Sequence, residues 1–121
     1  MTRAYVPVPM RSVVVQLQGG GLWLYAPGEL PTDLAEALAA LGPVEHIISP
    51  NLDYDARAQV WADVYPQAQF WDAEALRPHE AEDAWRRQLH QLVVRVRADR
   101  NEAVFCHRPS RTLFFADLFE V

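Results

Sequence analysis

The strongest constraint on this chain is a change in hydrophobic period along its length. Between residues 12 and 71, short β-type runs alternate with two stretches of helical spacing, and beyond Leu89 the helical period disappears. Ser12 to Gln18 is rich in β-branched residues, Gly19-Gly20-Gly21 tolerates positive φ, and Leu22 to Ala26 is apolar again, so this segment reads as a hairpin. Leu34, Ala37, Leu38 and Leu41 recur at helical spacing after Pro31-Thr32-Asp33 and before Gly42-Pro43, which marks an amphipathic helix. Val44 to Ser49 is a buried strand that opens into a loop at Pro50-Asn51. Asp53 or Asp55 can cap a second helix over residues 55–65, with Ala58, Val60, Trp61, Val64 and Tyr65 as its apolar face, and Ala68 to Trp71 forms the next strand.

A weaker helical pattern covers Glu80 to Arg87. Leu89 to Arg97, Ala103 to His107 and Thr112 to Phe119 then form an antiparallel meander, with Arg108-Pro109-Ser110-Arg111 as the last turn. The two prolines among residues 4–9 suit an extended lead-in. The expected architecture is an α/β layered domain with a mixed β-sheet, helices and a C-terminal antiparallel meander. At 121 residues, with no internal repeat or linker, residues 1–121 form one domain.

Half of the residues are hydrophobic and four are Trp, enough apolar surface to offset the entropy of ordering the chain. The net charge of −5 argues against sequence-independent contact with nucleic acid, which needs a basic surface. Every basic side chain other than His is Arg; Arg86, Arg87, Arg95, Arg97 and Arg100 are interleaved with Glu80, Glu82, Asp83, Asp99 and Glu102, the pattern of a mixed solvated face. The single Cys106 excludes an intrachain disulfide and suits a reducing compartment. No run approaches a membrane span and Met1 to Met10 lacks a signal-type apolar core, so a cytoplasmic location with no membrane partner is expected.

The ordered series Arg11-Ser12-Val13-Val14, Gly21-Leu22-Trp23-Leu24, Leu41-Gly42-Pro43-Val44, His46-Ile47-Ile48, Pro50-Asn51-Leu52, and His107 to Leu113 through Asp117-Leu118-Phe119 resembles a bacterial branch of the metallo-β-lactamase superfamily. The resemblance implies a shortened metallo-β-lactamase-like layered fold. It also implies a site in which His-x-His-x-Asp-His, a later His and a bridging Asp hold two metals that activate hydroxide. In this chain the first motif falls on Pro50-Asn51-Leu52-Asp53-Tyr54-Asp55 and the later His region on Arg97-Ala98-Asp99-Arg100, both without histidine, and Asp117 matches the bridging carboxylate.

The expectation is therefore a non-catalytic domain without a cofactor, binding a protein partner or a small ligand. The alternative is a metal-dependent hydrolase of an ester, lactone or phosphodiester, with a divalent metal ion on Asp53, Asp55, Asp99, His107 and Asp117. On the simpler reading Asp53 and Asp55 are helix caps, Asp117 satisfies backbone groups at its strand end, and His107 bonds the turn. His46, His79 and His90 show no ligand spacing, Ser110 lies outside any nucleophile elbow, and Cys106 sits in an apolar strand. Full-length relatives bury the last hairpin under further elements, so a homodimer is expected here, with Phe105, Leu113, Phe115 and Phe119 in its interface.

Overall fold

The computed structural model describes residues 12–117 and contains α/β structure with two sheets and two helices. Strands β1 (Val13–Gln16), β2 (Leu22–Tyr25), β3 (Val44–Ile48) and β4 (Gln69–Trp71) form a four-stranded sheet in that order. β1 and β2 are antiparallel, whereas β3 and β4 join in parallel through helices α1 (Thr32–Leu41) and α2 (Asp55–Val64). Strands β5 (Leu89–Arg97), β6 (Arg100–His107) and β7 (Thr112–Phe114) form a separate antiparallel meander.

The β1–β2 turn closes because Gly20 takes φ 98°, open to glycine at no steric cost. Helix α1 ends at Gly42, where a Cβ would meet the Gly20 carbonyl oxygen at 2.3 Å, so the helix end and the hairpin turn meet at two glycines.

β2 explains the layering. All four of its residues are buried, because alternate side chains enter different cores. Leu22 and Leu24 pack with Leu38, Ile47, Ala58 and Trp61 beneath the helices. Trp23 and Tyr25 face the second sheet and pack with Trp85, Leu89, Phe105 and Phe114. Trp23 stacks on Tyr25 at 6.1 Å and meets the Phe105 ring edge at 4.8 Å. Each such buried large side chain contributes on the order of 1.5–3 kcal/mol, so this aromatic contact is what joins the two sheets.

Three elements differ from expectation. Residues 83–88 form turns instead of a helix. Trp85 donates from Nε1 to Gln91 Oε1 and Gln91 Nε2 donates to the Arg77 carbonyl, so the segment folds round one buried indole where the sequence offers no apolar stripe. The buried face of α2 is narrower than expected: Ala58 and Trp61 are buried, while Val60 and Val64 are exposed because they lie off the 58–61–65 row. β7 stops at Phe114, and Phe119 lies outside the described residues. Among the described residues no helix is long and apolar enough to cross a membrane.

Candidate functional site at the strand ends

β3 ends at Ile48 and the chain turns through Ser49, Pro50 and Asn51, all buried, into a one-turn 3₁₀ segment (Leu52–Tyr54) and α2. Carboxyl ends of parallel strands are where open α/β sheets hold ligands. Here the loop is clamped to the second sheet: the Ala103 amide of β6 donates to the Pro50 carbonyl at 2.8 Å, and Tyr25 Oη donates to the Ala103 carbonyl at 2.8 Å.

Asn51 is the centre of the arrangement. Its Oδ1 accepts from the Asp53 amide at 2.9 Å, which caps the 3₁₀ turn. Its Nδ2 donates to Glu102 Oε1 at 3.0 Å and to Asp117 Oδ2 at 3.1 Å. The amide orientation is fixed by chemistry, since the carboxylates need a donor and the backbone N–H an acceptor. Glu102 is 1% exposed and also accepts from the Ala116 and Asp117 amides at 2.9–3.1 Å. Ser49 Oγ lies within hydrogen-bonding distance of both Asp55 Oδ1 and the Asn51 carbonyl.

Arg100 supplies the positive charge. Its Nη1 and Nη2 donate to the two Asp53 oxygens at 2.8 and 2.9 Å, a bidentate fork. These bonds hold the Asp53 carboxyl below its ordinary range, and the same bonds, with Asp99 and Asp117 nearby, push the guanidinium further up. Burial foremost, and then Glu102, Tyr54 and Asp117, push the Tyr25 phenol upward, so it stays protonated and acts as a donor, not a base.

The structure thus brings Asp53, Asp99 and Asp117 around Arg100 and ties Asp55 to Ser49. It does not bring His107 to them. His107 lies five residues along β6 from Glu102, about 16 Å away at strand rise, where its Nδ1 meets Ser110 Oγ at 2.8 Å and its ring stacks on Phe114. Its partner is therefore the turn's hydroxyl, not the turn backbone. The expected helix-capping roles also change hands: Asn51 caps the 3₁₀ turn, Asp53 serves Arg100, and α2 has no side-chain cap. Asp117 contributes its carboxylate to Asn51 and its amide to Glu102.

The proposed metal ligands do not fit a metal as placed. Asp53 already receives a guanidinium fork and Asp117 an amide donor, and among the described residues no group of three or more His, Cys, Asp or Glu is arranged to hold an ion. Glu102 and Arg100, grouped by sequence with a mixed solvated face, are instead a buried carboxylate and the site's cation. Neither Asn51 nor Ser49 carries a spacing signal, and only their place after a buried strand points to them.

Two further sequence candidates sit elsewhere. His46 is buried, accepts from Trp71 Nε1 at Nδ1 (3.2 Å) and meets the edge of Trp85, and burial lowers its pKa against the opposing pull of Glu45. Phe105 is 1% exposed in the core between the sheets, so it cannot lie on an outer interface; Leu113 and Phe115 are exposed.

Residues 2–80, more than half of the chain, match one family model, described as a domain of unknown function, DUF4336. Asn51, Asp53 and Asp55 fall within the matched span, and Arg100, Glu102 and Asp117 lie beyond it. Comparison with curated proteins and with solved structures gives no match.

Proposed function

The chain belongs to the DUF4336 family, and from that premise we propose that it is a non-catalytic domain with a metallo-β-lactamase-like layered fold that binds a protein partner or a small ligand at its strand ends. The observation that carries this reading is the Arg100–Asp53 fork beside the Asn51–Glu102–Asp117 network. In the resembling superfamily the equivalent carboxylates face metal ions, whose charge they balance. Here a guanidinium and an amide supply the donors, and each carboxylate is engaged by the protein itself. Such a cluster holds the loop 49–54 rigidly against β6. It offers recognition through preset donors and acceptors and has no free nucleophile, because Tyr25 is held protonated and Ser49 is committed to Asp55 and the Asn51 carbonyl.

Elemental analysis of the purified protein, combined with thermal unfolding in added Zn²⁺, Mg²⁺ or Ca²⁺, tests the proposal. The expected result is sub-stoichiometric metal and no saturable stabilisation by any of the three. One tightly held ion per chain, lost on Asp117→Asn, would overturn it and favour the metal-dependent hydrolase.

A further inference from the structure

A second concavity lies at the other end of β6. Arg108 is six residues beyond Glu102, about 20 Å along the strand direction, so this cleft is remote from the Asn51 network. It has a volume of about 230 Å³ and is lined by His79, Glu80, Arg86, His90, Gln91 and Arg108. Four separate segments contribute these side chains: the bend at 78–80, the turn at 83–88, β5, and the β6–β7 turn. In a chain with a net charge of −5, two arginines and two histidines face one cavity against a single carboxylate.

The cations are positioned by the fold. The Arg108 amide donates to the Gln88 carbonyl at 2.8 Å, and its guanidinium Nε donates to the Arg86 carbonyl at 3.2 Å. Its Nη1 contacts His90 Nε2. A guanidinium can only donate, so His90 accepts at Nε2 and carries its proton on Nδ1. Gln91 is anchored at both ends of its amide, accepting from Trp85 and donating to the Arg77 carbonyl, and forms one wall of the cleft. The Glu80 carboxylate pairs with Arg77 at 3.3 Å. Arg86 meets Asp83 at 3.6 Å with both side chains largely exposed, a pairing worth about 0–1 kcal/mol that a better acceptor displaces readily.

We propose that this cleft binds a small phosphate-bearing ligand, with Arg86 and Arg108 holding the anionic oxygens and His79 and His90 beside them. Two guanidinium groups from different segments present more donors than one planar carboxylate can use, and a tetrahedral phosphate accepts from both. The ligand is free phosphate or a phosphomonoester, since the shared chemistry is the phosphate group.

The test is amide NMR of the whole chain, titrated at constant ionic strength with inorganic phosphate, glycerol 3-phosphate and, as a planar control, acetate. Saturable shifts confined to residues around 79–91 and 108 are expected for both phosphates, with binding weakened at least about tenfold in Arg108→Gln. Whichever phosphate binds more tightly identifies the source. Because Arg108 also ties down the turn, Arg86→Gln provides a second variant whose lost contact is only the exposed Asp83 pair, and it too is expected to weaken binding. Failure to approach saturation by about 10 mM phosphate would overturn the proposal. So would equal shifts with acetate, or unchanged binding in both variants.

Discussion

Replacing Asn51 by Asp turns one donor nitrogen into an acceptor oxygen and changes almost nothing in volume, so its effect isolates the polar network. Oδ1 still accepts from the Asp53 amide. The other oxygen now faces Glu102 and Asp117 at about the 3.0 and 3.1 Å separations of the lost amide bonds. Like charges so close cost several kcal/mol even at an effective dielectric of about 20. The cluster can escape by binding a proton. Holding a carboxyl protonated at pH 7 against an ordinary pKa near 4 costs about 1.4 kcal/mol for each of three pH units, so proton uptake caps the electrostatic penalty at roughly 4 kcal/mol. The bound proton also restores one donor. The variant is therefore expected to be about 3–4 kcal/mol less stable than wild type at pH 7, a large share of a typical total of 5–15 kcal/mol.

The sign of the pH effect follows. In the variant the folded cluster holds its proton to higher pH than the unfolded chain does, so the penalty is absent below about pH 4 and grows as pH rises. Urea unfolding followed by tryptophan fluorescence at pH 7, 6 and 5 is expected to show the deficit of Asn51→Asp shrinking by about 1.4 kcal/mol per unit, at unchanged m. Asn51→Ala, which loses the donor to Glu102 and Asp117 without adding a charge, is expected to show a smaller deficit at pH 7 and a shallower pH dependence than Asn51→Asp. An Asp variant within about 0.5 kcal/mol of wild type at pH 7, or a deficit that persists on acidification, would refute the network as described.

Three other outcomes are expected. Burial lowers the His46 pKa, so below about 6.5 the unfolded chain takes up a proton that the folded chain resists; stability should fall with pH in that range, and His46→Phe should flatten the slope, an equal slope in both proteins being the contrary result. Arg111 sits at φ 54° in an exposed turn, so Arg111→Gly should raise the urea midpoint by the equivalent of about 0.5–1 kcal/mol, and a lowered midpoint would contradict the strain. Leu92 and Leu113 lie exposed on the outer face of the β5–β7 sheet, and light scattering coupled to size exclusion is expected to give a dimer that Leu113→Asp dissociates; a monomeric mass at micromolar concentration would exclude it.

The hairpin, both helices and the meander were legible because each is written locally: β-branched enrichment on either side of Gly19-Gly20-Gly21 and in the C-terminal runs, and helical spacing over Leu34 and Leu38. The segment 80–87 was misjudged for a related reason. Its turn hydrogen bonds run from Trp85 and Arg86 back to the Glu82 carbonyl and from Gln88 and Leu89 back to Trp85, a locally helical pattern that stops because the Trp85 indole is anchored to Gln91 across the fold. Of the site, Asp53, Asp55 and Asp117 were identified by position but not by role. The groups that decide those roles, Arg100 and Glu102, come from a different sheet and 47 to 51 residues away in sequence. Glu102 was the hardest to place, since a carboxylate among other charged residues reads as solvent-facing, and the Asn51 amide with the returning Ala116 and Asp117 amides helps make its burial tolerable.

That dependence shows how the two halves of the molecule are held in register. The aromatic contact of Trp23 and Tyr25 with Phe105 and Phe114 is large but weakly directional, and it would tolerate small sliding of one sheet over the other. The polar contacts would not. Asn51 to Glu102, the Pro50 carbonyl to the Ala103 amide, and Tyr25 to the Ala103 carbonyl all lie at 2.8–3.0 Å and fix β6 against the end of β3. A shift of one residue along β6 would reverse the faces of Glu102 and Ala103, placing a carboxylate in the aromatic core. The cost of that misplacement is what makes the buried cluster a register pin. It also ties the loop at the strand ends, with Asp53, Arg100 and Asp117, to β6 through directed polar contacts.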